Sequence, residues 1–394
     1  MIPKPFHRFA LVTLIAAAPA GAQVVLDAHL REHHVRELRL EGGVLHFLEH
    51  SNTPQTLPLS GVLALLPDRA TSATQPEDSE WIQVGRDRIA PSGWIELTDG
   101  QHLPGRLEVA NSKPETVSWR HPSLGVSSWS LESVSILAMQ SDVLAKDVPP
   151  PSAGDVVLLT NGDRLEGFVA SIGEMLTMDV GGQPLEIPAT RVRVVRLANP
   201  GMPAKGTRLR LDDGTIVACT INAYDAGTLT ITTAGSAEPK EISLREVVSV
   251  NLASERLVPL ARHSGSMTGP VSRFWIPPMR VERDRAAPLG AADIHISGPG
   301  TASWLIPDAT TRTSMIIELA PTSREYGDMT VRVLIDSREV ASHHLTPESP
   351  RAEVQADLGE SGNAKDRTFS ITIEPGKAGP IQNEILVRRA LLLE

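Results

Sequence analysis

One cysteine in 394 residues, two tyrosines and an aromatic content of 4% set the first limits on this chain. Cys219 has no partner for an internal disulfide, and neither a Cys-x-x-Cys nor a His-Glu-x-x-His spacing occurs, so a disulfide scaffold and the common zinc motifs are excluded. Basic residues are short too: 37 Lys and Arg stand against 47 Asp and Glu, a balance that argues against nucleic acid as a partner. No glycine-rich loop opens a helix, since Gly154, Gly162 and Gly167 punctuate strand-like runs, and no cofactor is implied. Apolar stretches long enough for a membrane helix are missing as well; the run from Phe9 to Ala18 is far too short for one.

That short run has a meaning of its own. Lys4 and Arg8 precede it, and Ala20-Gly21-Ala22 closes it before Gln23, the arrangement of a Sec-type signal peptide over residues 1–22. The expectation is an exported protein, periplasmic or extracellular, with no membrane span once the signal is removed. With a lone cysteine, such a protein draws its stability from apolar cores, and Cys219 itself reads as a small buried hydrophobe.

What the chain has in quantity is turn formers, 31 prolines and 30 glycines spread along its length, which favours many short strands over helices. The strands repeat. Turn pairs Asp99-Gly100, Asn161-Gly162 and Asp213-Gly214 lie between alternating apolar residues, a strong hairpin signal because both turn positions favour positive φ. Four closing segments, LPLSGVLAL from Leu57, WSLESVSIL from Trp129, IPATRVRVV from Ile187 and ISLREVVSV from Ile242, superpose without gaps. They divide the chain into a degenerate copy at 23–70 and further copies at 80–140, 153–198 and 205–254.

Each copy carries four or five short strands, which suits a small five-stranded barrel of the SH3-like or Sm-like kind. In the second and third copies Gly105 and Gly167 follow the turn at matching places and would let a strand bend at a barrel corner; in the fourth, Cys219 stands there. Units this small are marginal alone, so neighbouring copies are expected to pack together. Linkers rich in Pro, Ser, Thr and Asp, 67–79 and 141–153, separate the first three.

From Leu257 the pattern lengthens. An irregular Pro- and Gly-rich segment leads to longer alternating strands such as Met329–Ile335, where Val331, Val333 and Ile335 share one face. Residues 257–394 therefore read as a β-sandwich, and the whole chain as all-β: tandem small barrels followed by a jelly-roll-like sandwich.

The sandwich resembles the NPCBM modules, a branch of the galactose-binding-like jelly rolls of exported bacterial proteins. The resemblance rests on Pro288-Leu-Gly, Gly298-Pro-Gly-Thr-Ala-Ser-Trp304-Leu-Ile-Pro307, Gly327 to Val340, Pro350 to Leu358, and Pro375-Gly with Asn383 to Val387. It covers about the last third of the chain. It implies carbohydrate binding, but two places where such modules carry a glycine- and histidine-containing turn and an Asp with a Trp read here Gly298-Pro-Gly300-Thr and Asn383-Glu-Ile-Leu-Val387. Small barrels joined to such a module resemble exported proteins of Planctomycetes in domain style.

Aromatic rings are how many lectin-like sites hold a sugar ring, which makes Trp304, Tyr326 and Trp275 the candidate ligand residues. Trp119 and Trp129 read as barrel core. Histidines at 33, 34, 46, 50, 343 and 344 lack any ligand spacing and read as loop or strand-face residues. Asp212-Asp213 forms a turn. Ser264 and Ser266, beside His263, lack the strand and helix of a hydrolase elbow. The expectation is a non-catalytic binding or scaffolding protein whose partners are proteins, met through barrel edges by strand addition, or polysaccharide, met through the sandwich. An accessory role beside a hydrolase is a third reading.

Overall fold

A computed structural model describes residues 23–49, 51–67, 91–109, 115–144, 147–150, 152–225, 227–269, 279–282, 287–359, 367–377, 379 and 382–394. The proposed signal peptide and most of the first linker lie outside these.

The four copies share one design. The first comprises β1 (Gln23–Asp27), β2 (Glu32–Glu41), β3 (Val44–Glu49), β4 (Pro54–Pro58) and β5 (Val62–Pro67). The second has β6 (Gly93–Leu97), β7 (His102–Leu107), β8 (Thr116–His121), β9 (Gly125–Ser130) and β10 (Val134–Ala138). The third has β11 (Asp155–Leu159), β12 (Arg164–Ile172), β13 (Met175–Val180), β14 (Gln183–Pro188) and β15 (Val192–Arg196). The fourth has β16 (Arg208–Leu211), β17 (Ile216–Asp225), β18 (Thr228–Thr233), β19 (Ser236–Ser243) and β20 (Val247–Asn251).

In every copy the first four strands form an antiparallel meander and the fifth returns to pair with the first, giving a small barrel. The nine-residue closing segments carry the return. Their second residue ends the fourth strand, the next three make a tight turn, and a valine (Val62, Val134, Val192 or Val247) opens the fifth. Gly105 and Gly167 stand where β7 and β12 leave the first strand of their barrel and take up the third, and space is short there as well. A Cβ on Gly167 would collide with the Asp179 carbonyl, and one on Gly105 with that of Arg120, because the neighbouring strand passes so close.

The fifth strands also join the barrels in pairs. Each bulges one residue after its opening valine, at Leu63, Ser135, Arg193 and Val248, where the register with the first strand skips. A bulge leaves a carbonyl without a ladder partner, and here the partner barrel supplies one. Leu197 N–H donates to the Ser135 carbonyl at 2.9 Å, and Met139 N–H to that of Arg193 at 3.0 Å. β10 and β15 then pair symmetrically about Leu137 and Val195. β5 and β20 pair about the equivalent Leu65 and Val250, with Leu252 N–H donating to the Leu63 carbonyl at 2.8 Å. The reciprocal donor in that pair would be residue 67, which is proline and has no N–H.

Barrel 2 therefore pairs with its sequence neighbour barrel 3, whereas barrel 1 pairs with barrel 4. A single bridge from β17 to β7 ties the two pairs into one network, another from β17 to β2 adds to the 1–4 pair, and the apolar interiors of all four run together. The linker after β10 belongs to this assembly: Val143 is buried with Trp94, Ile136 and Val194, and its carbonyl accepts from Trp94 Nε1 at 3.2 Å.

The rest is a sandwich. Its strands are β21 (Leu257–Pro259), β22 (Gly265–Thr268), β23 (Met279–Glu282), β24 (Asp293–Ser297), β25 (Gly300–Ile306), β26 (Arg312–Leu319), β27 (Met329–Ile335), β28 (Arg338–Leu345), β29 (Arg351–Asp357), β30 (Arg367–Pro375) and β31 (Glu384–Leu393). One sheet runs β23-β24-β31-β26-β29, with β21 also on β31; the other runs β22-β25-β30-β27-β28. From β24 onward the chain changes sheet at every connection except β27 to β28, which is jelly-roll winding. Side chains alternate, so Val331, Val333 and Ile335 meet Ile317, Val354 and Val387 in the core.

Leu391 and Leu393 close on the barrels instead. With Leu257, Leu289 and Ala291 they pack on Leu26, Leu30, Leu63 and Leu66 of barrel 1, so that the sandwich is seated on the array.

Candidate ligand-binding face

The structure separates the three aromatic candidates. Trp304 is 1% exposed, on the same side of β25 as Ala302 and Ile306, and its ring lies 6.1 Å from that of Phe369 between the sheets. It is a core residue with no face for a sugar, while Ser303 and Leu305 take the opposite side of the strand. Tyr326, 59% exposed, stands on the connection between β26 and β27. Trp275 lies outside the described residues.

The alternation that buries Trp304 turns a different set outward. Across the five-stranded sheet, registered pairing sets Thr268, Thr301, Thr372, Arg332 and Ser342 in one row, one from each strand. A second row holds Ser266, Ser303, Ser370 and Leu334. Rows on one face of a sheet stand about 6.6 Å apart, and neighbours within a row about 4.8 Å. The hydroxyls engage one another: Thr301 and Thr372 at 2.9 Å, Ser303 and Ser370 at 2.9 Å. Each hydroxyl both donates and accepts, so these pairs can be exchanged for a ligand's hydroxyls at little cost.

Charged groups border the hydroxyls on one side. Arg332 donates to Glu339 at 3.0 Å and Glu374 at 3.1 Å, and these carboxylates hold its guanidinium above the usual range. His344 Nε2 lies 3.1 Å from Asp328, near Tyr326 in the chain. On the other side Leu305 is 62% exposed, an apolar spot beside the hydroxyl rows. Sequence reading missed this face because it sought rings, whereas the signal was Ser and Thr at alternate positions, Thr301-x-Ser303 and Thr368-x-Ser370-x-Thr372.

A cavity of about 370 Å³ lies where the sandwich meets barrel 1. Leu26, Leu30, Met315 and Leu391 form its apolar wall, with Arg31, Glu32, Glu353 and Arg389 among its polar groups. Arg389, at φ +46°, reaches Glu32 of the barrel at 3.0 Å, and Gln355 Nε2 and Arg312 Nη1 donate to the His29 carbonyl at 3.2 and 3.4 Å. These contacts make it a seam between modules. Among the described residues, no three His, Cys, Asp or Glu side chains converge as a metal site. No described helix is long and apolar enough to cross a membrane.

No protein-family model and no curated relative matches the chain. Solved structures that are similar include CBM51-2 in complex with GlcNAc and INT domains from Clostridium perfringens ZmpB, at 10% identity over 48% of this chain and 43% of that one, TM-score 0.29. This chain thus spans less than half of that protein. Another is CBM51 from Clostridium perfringens GH95 in complex with methyl-galactose, at 10% identity over 34% of this chain and 99% of that one, TM-score 0.28. A third is SGBP-B from a xyloglucan utilization locus in Bacteroides uniformis, at 12% identity over 73% and 99%, TM-score 0.23. At these TM-scores the likenesses carry no argument about ligand, which rests on the side chains.

Proposed function

We propose that this is an exported, non-catalytic binding protein whose sandwich holds polysaccharide on the hydroxyl face of its five-stranded sheet. The reading rests on the paired rows of Ser and Thr with Arg332 at their border: an extended array that can trade hydrogen bonds with a polyhydroxylated chain. The four barrels, read as SH3/Sm-like from their meander and returning fifth strand, act as a rigid mount. The test uses the full chain in affinity electrophoresis through gels containing soluble glycans. Retardation by at least one glycan, weakened about tenfold or more by Thr372→Lys and Ser370→Glu with unchanged circular dichroism, is expected. A wild-type chain retarded by none would overturn the reading.

A second reading, contact with a protein partner, draws support from barrel 3, where Phe168 (67% exposed), Met175 and Leu185 stand out on three adjacent strands. Strand addition, the route suggested by the sequence, is not favoured at β4 and β14, whose outward-facing edges carry prolines.

A further inference from the structure

The turn between the first two strands is built the same way in all four barrels. An N–H donates back to the carbonyl that ends the first strand: Gly100 to Leu97 at 3.0 Å, Gly162 to Leu159 at 3.0 Å, Gly214 to Leu211 at 3.2 Å and Leu30 to Asp27 at 2.9 Å. The donor residue is left-handed in each, at φ +82°, +93°, +86° and +61°. The three glycines face open space, whereas Leu30 of barrel 1 holds a branched side chain in a conformation suited to glycine, and is 1% exposed. That side chain forms part of the wall of the cavity between barrel 1 and the sandwich. The sandwich contributes a second left-handed residue to the same wall, Arg389 at φ +46°, where β31 slips register against β26. Both modules thus place strain at a gap that stays open at about 370 Å³, within the range of about 300–1,000 Å³ found for pockets that take small organic ligands.

The wall has two chemistries. Leu26, Leu30, Leu66 and Leu391 supply aliphatic surface from both modules. Other lining groups have hydrogen bonds to spare. Ser314 Oγ has no partner among the described residues, Gln355 donates to the His29 carbonyl and keeps its own oxygen, and Glu353 meets Arg351 through one oxygen only. Arg389 is answered by Glu32 at 3.0 Å, but Arg31, exposed on the same wall, makes no ion pair among the described residues. A ligand suited to this wall has an apolar face, several hydroxyls and one carboxylate, which a guanidinium edge meets with two parallel N–H groups.

We propose that this cavity is a second binding site, for a single acidic sugar, a hexuronic acid. The C–H face of the ring lies on the leucines, its hydroxyls meet Ser314, Gln355 and Glu353, and its carboxylate is held by Arg31. The site is separate from the hydroxyl face, because β26, β29 and β31 belong to the other sheet, and it does not depend on polysaccharide binding there.

Calorimetric titration of the full chain with sodium glucuronate, sodium galacturonate, glucose and galactose, at ionic strength fixed with sodium chloride, tests this. Saturable one-site binding of at least one uronate is expected, at least tenfold tighter than that of the matching neutral hexose. Arg31→Gln should weaken it at least tenfold, and Ser314→Trp, whose ring would fill the cavity, should abolish it. Thr372→Lys, on the opposite sheet, should bind the uronate as wild type does. Because Arg31 is exposed and unpaired, Arg31→Gln decides the matter if Ser314→Trp fails to fold. Absence of saturable heat with both uronates, equal affinity for the neutral hexose, unchanged affinity in Arg31→Gln, or loss of binding in Thr372→Lys would each overturn the assignment.

Discussion

His121 lies at the contact of barrel 2 with barrel 4, and its hydrogen bonds leave it one charge state. Its Nδ1 accepts from the amides of Ser123 and Leu124, both at 3.1 Å, so the ring proton sits on Nε2 and donates to Thr215 Oγ1 at 2.7 Å. Burial pushes the imidazole from 6.5 down to about 4, against the pull of Asp213 at 3.6 Å. Glu246, held through Ser123, is the other acid on this side. Since the folded value lies below the unfolded one, the unfolded chain takes the proton first. The stability that the neutral ring contributes is complete above pH 6.5 and is lost as pH falls from there to about 4, amounting to about 3 kcal/mol. Urea midpoints measured from pH 7.5 to 4.5 should fall more steeply for wild type than for His121→Gln, and parallel curves would contradict this. The other singular residue is inert by the same physics: burial pushes the Cys219 thiol up to about 12 and leaves no thiolate at neutral pH.

The edges of the barrels are built against polymerisation by strand addition. In β4 and β14 the inward N–H groups belong to odd-numbered residues, continued by Leu59 donating to Gly43 and Ala189 to Glu174. The outward positions are 54, 56, 58 and 184, 186, 188, and in both strands the first and last of the three are proline. Only Thr56 and Glu186 keep an outward donor, too few for an incoming strand. β9 has no proline, and its outward Ser128 N–H donates to the Gly235 carbonyl of barrel 4 at 3.4 Å. Free edges carry prolines; the edge without them is covered. Replacing Pro184 and Pro188 by Thr should therefore convert a chain of sharp light-scattering mass into one that self-associates with concentration, while the same pair of changes made at Ser128 and Ser130 should not. A monodisperse Pro184→Thr/Pro188→Thr variant would refute the edge argument. Much at this scale was legible in the sequence: the Asp-Gly and Asn-Gly turns, the ungapped closing segments and the alternation of Met329–Ile335 all name their strands. Which face of β25 turned inward was not, because Trp304 and Leu305 are both apolar, and only the partner sheet decides between them.

At the scale of the molecule, the sequence foretold packed copies but not which copies meet. All four closing strands bear the same bulge and bury a valine and a further Leu or Val at equivalent places, so the repeat pattern itself does not name the 1–4 and 2–3 pairs. The inner pair is continuous in sequence and joined by its own two fifth strands, whereas barrel 1 has two surfaces, toward β20 and toward Leu391 and Leu393, that only later parts of the chain fill. A fragment of residues 91–200 should fold alone with a single cooperative unfolding transition, and one of residues 23–67 should stay unfolded by circular dichroism. Independent folding of the short fragment would show that the pairing is an ornament. The nesting of one pair inside the other also sets an order in time. A chain synthesised N-terminus first has β5 in place long before β20 arrives, so the first copy to appear is among the last to be completed. Its exposed interval, rather than its final stability, is then where chaperones and proteases would meet this protein.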